Sequence, residues 1–222
     1  TTVTVSASDN AIQKAVDKVL AGLTADSTSA TVQVAAGTYN GDINITAGSG
    51  VSENFVLYIL ADDSYSTPAE GALIDKTTIG TQGSGAADVT GNVNIDGVNV
   101  VLAGLYLSLE KIVNAKNASV TVYGTGRDDA IHLNLEGDST GAIYGGAGND
   151  QLMLSGTGGA TGTGDHGTAT VSGGEGDDTI TVDTGLAQNA TTLCAQGGAG
   201  LDRLHLTGTL KDGGTSSATI DA

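Results

Sequence analysis

Four aspartates hold equivalent places in the second half of this 222-residue chain. Asp150 closes GGAGND, Asp178 closes GGEGDD, Asp202 closes GGAGLD, and Asp129 ends the worn copy GTGRDD. A carboxylate on so short a side chain is a hard oxygen ligand, and the glycines ahead of it let a sharp turn aim carbonyl oxygens to one side. That combination suits a hard divalent cation such as calcium, which gathers about 6 to 8 oxygens at roughly 2.3 to 2.6 Å. One turn supplies too few oxygens. The chemistry therefore requires a fold that sets successive turns on top of one another.

The flanking residues describe such a fold. Aligned on the turns, Ile131, Leu152, Ile180 and Leu204 fall two places after the aspartates, and Leu133, Leu154, Val182 and Leu206 two places later. Val122, Ile143, Val171 and Ala195 form a matching column ahead of the glycines. Period-two alternation turns these columns inward and turns His132, Met153, Thr181 and His205 outward. The first glycines, Gly124, Gly145, Gly173 and Gly197, are separated by 21, 28 and 24 residues. Repeats of roughly 20 to 50 residues mark stacked solenoids. Each repeat reads as strand, glycine corner, strand, with coils about 4.8 Å apart.

The chain before the repeats fits the same architecture. TTVTVSAS (1–8) alternates as a short strand, and DNAIQKAVDKVLAGL then puts Ile12, Ala15, Val16, Val19, Leu20 and Leu23 at helical spacing, with Ser8 or Asp9 placed to cap its start. From Thr31 onward the sequence reads as short strands bounded by Gly, Asn and Asp, among them FVLYILA, GALID and VNVVLAGLYLSL. The expected fold is all-β: a right-handed parallel β-helix whose exposed first coil is covered by an N-terminal amphipathic capping helix. We read residues 1–222 as one domain, with the strand and cap in 1–30, plain coils in 31–118 and coils with glycine/aspartate corners in 119–222.

Composition narrows the partners. The formal charge of −17, from 25 acidic and 8 basic residues, argues against nucleic acid and anionic membrane surfaces. Thirty-five glycines with 3% aromatics imply a thin core of Val, Ile, Leu and Ala. Cys194 is the single cysteine, so an intrachain disulfide is excluded. No run reaches transmembrane length. A start at Thr1 and an end at TIDA point to a piece of a longer protein, expected to be monomeric as an isolated domain.

The turns GGAGNDQLM (145–153), GGEGDDTIT (173–181) and GGAGLDRLH (197–205) resemble the calcium-binding nonapeptides of RTX (repeats-in-toxin) proteins. The resemblance implies calcium between successive turns, with Asp150, Asp178 and Asp202 as side-chain ligands, Asp129 as a fourth, and carbonyls of Gly145, Ala147, Gly173, Glu175, Gly197 and Ala199 completing the shell. In that family the nonapeptides follow one another directly; here a dozen or more residues intervene, which implies a wider coil with an ion corner on one side only. Residues 9–46 and 91–108 are similar to the opening coils of pectate-lyase-like β-helices.

That second resemblance brings in enzymes that act on acidic polysaccharides. Candidate groups are Asp62-Asp63, Asp128-Asp129, Asp177-Asp178, Asp165-His166, Arg127 and Arg203, but carboxylates of a glycosidase must flank one bond at about 5 to 9.5 Å, and Asp177-Asp178 belong to a corner. Eight basic residues are few for a polyanionic substrate unless calcium bridges it. The reading therefore leans away from catalysis. The expected function is a calcium-binding structural or adhesive segment of a secreted or cell-surface bacterial protein, meeting carbohydrate or a host or cell-surface ligand. The competing function is a polysaccharide lyase, hydrolase or epimerase, or its carbohydrate-binding module.

Overall fold

The computed structural model describes residues 1–61, 87–107, 111–157, 169–183, 193–207 and 218–221. Asp62-Asp63, GALID (71–75) and Asp165-His166 lie outside the described residues.

Strand β1 (Thr2–Val5) leads into helix α1 (Ala11–Ala21), after which the chain winds in coils. The first three coils have three strands each: β2 (Ser29–Val34), β3 (Gly37–Tyr39), β4 (Ile43–Thr46); then β5 (Val56–Ala61), β6 (Ala87–Val89), β7 (Val93–Asp96); then β8 (Asn99–Ala103), β9 (Leu105–Leu107), β10 (Ile112–Lys116). Later coils have two: β11 (Ser119–Tyr123) and β12 (Ala130–Glu136), β13 (Thr140–Ala147) and β14 (Gln151–Thr157), β15 (Ala169–Glu175) and β16 (Thr179–Asp183), β17 (Leu193–Ala199) and β18 (Arg203–Thr207), with β19 (Ala218–Asp221) beyond.

Among the described residues all strand pairing is parallel and joins each strand to its counterpart one coil away. The result is a 9-stranded sheet from β1 to β19, a 7-stranded sheet from β4 to β18, and a 3-stranded sheet of β3, β6 and β9. This is the parallel β-helix that the repeat spacing predicts. Ile131, Leu152 and Ile180 stack in register, as do Leu133, Leu154 and Val182, and all six are buried in one continuous core with Val122, Ile143 and Val171. His132, Met153, Thr181 and His205 form the outward column.

The helix differs from expectation at its start. Its N-cap is Asn10 in the left-handed region (φ 55°), with no side-chain cap; Ser8 contributes only its carbonyl, which accepts the Ala11 N–H at 3.1 Å. Asn10 can take this conformation because its short polar side chain tolerates it, and its N–H is held by Asn40 O. Ala11, Ile12, Ala15, Val16 and Val19 are buried, whereas Leu20 and Leu23 are half-buried at the rim.

α1 packs on β1, β2 and β4 and closes the first coil. The Gln13 side-chain amide docks on the edge of β4: its Nε2 donates to Asn44 O at 3.0 Å, and its Oε1 accepts the Asn44 N–H. A glutamine side chain thus stands in for the next strand and blunts an edge that would otherwise invite pairing. Among the described residues no helix is long and apolar enough to cross a membrane.

Candidate metal centre

The glycine corners occupy the side of the coil where the third sheet ran. In the coil of β8 and β10, β9 fills that side; in the next, residues 124–129 take its place between β11 and β12. Two glycine columns make the corner possible. Gly146, Gly174 and Gly198 have φ of 121°, 128° and 115°, and Gly148, Gly176 and Gly200 have 113°, 124° and 141°. A Cβ at Gly174 would collide with Gly146 O one coil below, and one at Gly176 with Gly148 O. Both the backbone conformation and the stacking distance thus demand glycine.

The four aspartates stack along one edge, on the inward-facing parity of the strands. Asp129, Asp150 and Asp178 are only 1–3% exposed. Each gives its own N–H to the carboxylate one coil up: Asp129 N–H donates to Asp150 Oδ1 at 2.8 Å, Asp150 N–H to Asp178 Oδ1 at 2.8 Å, and Asp178 N–H to Asp202 Oδ1 at 2.9 Å. The preceding position makes a second ladder in the opposite sense. Asn149 N–H donates to Asp128 Oδ1, Asp177 N–H to Asn149 Oδ1, and Leu201 N–H to Asp177 Oδ1, at 2.8 to 2.9 Å. The Leu201 side chain has no acceptor to offer upward and ends that ladder.

The inner ladder satisfies one carboxylate oxygen and leaves the other. Asp150 Oδ2 and Asp178 Oδ2 are buried without a hydrogen bond to protein. Each lies against the bare Cα of its own first glycine, Gly145 or Gly173, where a methyl group would collide with it. The same spaces hold the carbonyl oxygen of the glycine one coil up: a Cβ on Gly145 would lie 2.7 Å from Gly173 O, and one on Gly173 2.5 Å from Gly197 O. Carboxylate and carbonyl oxygens therefore converge, and neither Oδ2 receives a hydrogen bond.

The worn copy solves the problem differently. Thr125 stands where the other corners carry the second glycine, and its N–H and Oγ1 both bond to Asp129 Oδ2, the latter at 2.9 Å. There the leftover atom is Asp129 Oδ1. Sequence reading missed Thr125, the outer Asp/Asn ladder and the inward direction of the carboxylates; the last was available from parity, since the aspartates sit two places before buried Ile and Leu.

Burial is the main cause of the carboxyl shifts here. It pushes Asp150 up to about 8 against the pull of its hydrogen bond to Asp129 N–H, with the neighbouring aspartates Asp129, Asp178 and Asp128 adding to the rise. Burial likewise pushes Asp129 up to about 6, its bonds to Thr125 and the Arg127 charge opposing, and raises Asp178 with help from the charges of Asp202 and Asp177. Carboxylates so placed are stabilised by whatever neutralises them, a proton or a bound cation.

The residues fit a hard, oxygen-seeking cation: Asp150, Asp178 and Asp202 would supply charge, and the carbonyls of Gly173 and Gly197 lie beside them. Among the described residues no three His, Cys, Asp or Glu side chains form a metal-binding group, so backbone oxygen would have to make up the shell. Of the remaining carbonyls named from the sequence, Glu175 O and Ala199 O accept N–H bonds from Gly148 and Gly176 at 2.9 and 2.8 Å, while Ala147 pairs with Glu175 in the strand ladder and Gly145 O faces Gly124.

His132 Nε2 lies 2.8 Å from Ser155 Oγ, a nucleophile–base spacing. Yet Ser155 Oγ donates to Asn134 Oδ1, continuing a chain in which Asn134 donates to Asn114, Asn114 to Asn94 and Asn94 to Asn44, each one coil below. Ser155 is thus a link in that ladder, and its contact with His132 extends it. His132 and His205 stand three coils apart and share no ligand.

Comparison of the chain with protein-family models, curated proteins and solved structures gave no match.

Proposed function

We propose that the chain is a calcium-stabilised β-solenoid segment, structural or adhesive, of a secreted or cell-surface bacterial protein, with RTX-type ion corners in its second half. The observation that carries this reading is the pair of buried, unpartnered oxygens, Asp150 Oδ2 and Asp178 Oδ2, each beside a glycine carbonyl from the coil above. Desolvated carboxylates in a column repel one another, and a divalent cation between coils converts that repulsion into a cross-link. Extracellular calcium fills even weak sites, with Kd of about 10⁻⁴ to 10⁻³ M, so the segment would consolidate after export.

The test is calcium titration of the intact chain by calorimetry, paired with thermal melts in calcium and in chelator. Saturable uptake and a higher melting temperature in calcium are expected, with the difference reduced in Asp178→Asn. Identical melts and no uptake would reduce the corners to hydrogen-bonded bends. Turnover of pectate or alginate would favour the enzyme reading instead.

A further inference from the structure

The first corner departs from the other three at the two places where they carry glycine with positive φ. Thr125 stands for Gly146, Gly174 and Gly198, and Arg127 for Gly148, Gly176 and Gly200; neither adopts the positive φ of those glycines. The slot for an ion is nonetheless laid out as in the next two corners. A Cβ on Gly124 would collide with Gly145 O and lie 2.7 Å from Asp129 Oδ2, the same pairing of a carboxylate with a carbonyl from the coil above that surrounds Gly145 and Gly173.

What differs is what meets the carboxylate. Asp150 Oδ2 and Asp178 Oδ2 receive no hydrogen bond, whereas Asp129 Oδ2 accepts both the Thr125 N–H and the Thr125 hydroxyl. That hydroxyl accepts the Arg127 N–H at 3.1 Å, which leaves its own proton directed at Asp129. Arg127 also brings a positive charge that acts on the Asp129 carboxyl, and its guanidinium is seated over the Tyr106 ring, 4.3 Å from the centroid. Donors and positive charge at a desolvated carboxylate are what a bound cation would otherwise supply. The oxygen left over, Asp129 Oδ1, corresponds to the atom that in Asp150, Asp178 and Asp202 accepts an N–H from the corner beneath. Beneath the first corner runs strand β9 instead, so this unmet oxygen reflects the change of coil type and not the slot.

We propose that Thr125 and Arg127 form a protein-built substitute for calcium at the first corner, so that this corner takes no ion and the ion column begins at Asp150. A cation entering the slot beside Gly124 would have to displace two hydrogen bonds from Asp129 Oδ2 and approach the Arg127 charge, whereas at Asp150 Oδ2 it displaces none. The coil of β11 and β12 therefore keeps its order without calcium. It offers a finished layer on which the ion-dependent coils stack.

This inference rests on the calcium reading, and its test separates the two. Calcium uptake is counted by calorimetry on the intact chain and on the double variant Thr125→Gly, Arg127→Gly, which restores both glycine columns. The double variant is expected to take up one more ion per chain than the parent. Hydrogen exchange supplies the local readout: in the parent, calcium should slow the amides of β14 and β16 more than those of β12. In the double variant β12 should exchange about 10-fold faster in chelator, from loss of the charge-assisted bonds to Asp129, and recover protection in calcium. Thr125→Ser, which keeps the N–H and the hydroxyl, should retain the parent's ion count. So should Lys116→Gln, which removes a charge at a distant ion pair with Asp96.

An unchanged ion count in the double variant, or a parent β12 that calcium slows as much as β14, overturns the substitution while leaving the calcium reading intact. Absence of calcium uptake by the parent overturns both. Should the double variant fold poorly, the comparison of β12 with β14 in the parent needs no substitution and still decides: equal slowing in calcium means that the first corner takes an ion like the others.

Discussion

The three-sided coils at the N-terminal end and the two-sided coils that follow close the same cross-section with opposite chemistry. In the former, the third side is a strand whose inward residues, Tyr39, Val89, Leu105 and Leu107, are at most 3% exposed. In the latter, it is a glycine corner whose inward residue is an aspartate. The apolar side is complete by burial alone. The polar side satisfies one oxygen of each carboxylate and holds the other in readiness for a charge. Where the two regimes meet, Tyr106 of β9 stacks under Arg127 of the first corner, and Thr125 ties Asp129 Oδ2, so the first polar coil is the one most fully bonded without an ion.

The contrast breaks most sharply at the glycines. Gly174→Ala forces a side chain onto a backbone at φ 128° and into Gly146 O, where the neighbour is main chain that cannot yield. A loss of about 3 kcal/mol or more in urea unfolding is expected, since strain and collision act together. Gly48→Ala in the first half, where an added Cβ meets nothing within 4 Å, should stay within about 0.5 kcal/mol of the parent. Similar costs at both places would mean that the corner relaxes and the stacking argument fails.

Asp178 separates the ladder from the ion. Asp178→Ala strips the acceptor from the buried Asp150 N–H, a loss of about 1 to 3 kcal/mol in chelator. Asp178→Asn keeps an oxygen for that N–H and removes the desolvated charge, so in chelator at about pH 8 it should be at least as stable as the parent, while the gain from calcium shrinks. Equal chelator melts for Asn and Ala would show that the Asp150 bond contributes nothing.

The regions should also part with pH. In the folded, chelated protein Asp150 is pushed up to about 8 and Asp129 to about 6, with Asp178 raised. Unfolded, the same groups titrate near ~4. The fold therefore holds protons that the unfolded chain releases: its advantage is complete below about pH 4 and drains away as pH climbs toward about 8. Hydrogen exchange, corrected for its intrinsic pH dependence, should show β14 and β16 loosening between about pH 5 and 8 relative to β5 and β8. Calcium should reverse the trend, because deprotonated carboxylates bind it better. Uniform behaviour along the solenoid would argue that the aspartates stay neutral throughout.

Much of this was legible in residue order. Recurrence of glycine and aspartate at two-dozen-residue intervals fixes the stacking, and the Ile/Leu columns fix which faces turn inward. Three features were not readable. The place of the corner within the coil depends on β3, β6 and β9, whose three-residue length is too short for a periodic signal. The opposed senses of the two side-chain ladders depend on which oxygen reaches which coil, a matter of rotamer and register. Asn10 as N-cap reflects its link to Asn40, distant in the chain, and capping preference alone does not separate Asn10 from Ser8 or Asp9.

The smallest expected effect concerns the first coil. Gln13 closes the β4 edge with two hydrogen bonds to Asn44, at an exposed site where each is worth little because water competes. Gln13→Ala should therefore cost about 1 kcal/mol in unfolding. Its larger consequence is exposure of the Asn44 N–H and carbonyl on a flat edge strand, so weak self-association by sedimentation is expected, absent from the parent. The control lies at the same residue. Gln13→Glu keeps an acceptor for the Asn44 N–H and adds a charge that edge pairing would have to desolvate; if it stays monomeric while Gln13→Ala associates, the freed β4 edge is what pairs, and if both associate, the contact lies elsewhere on the helix.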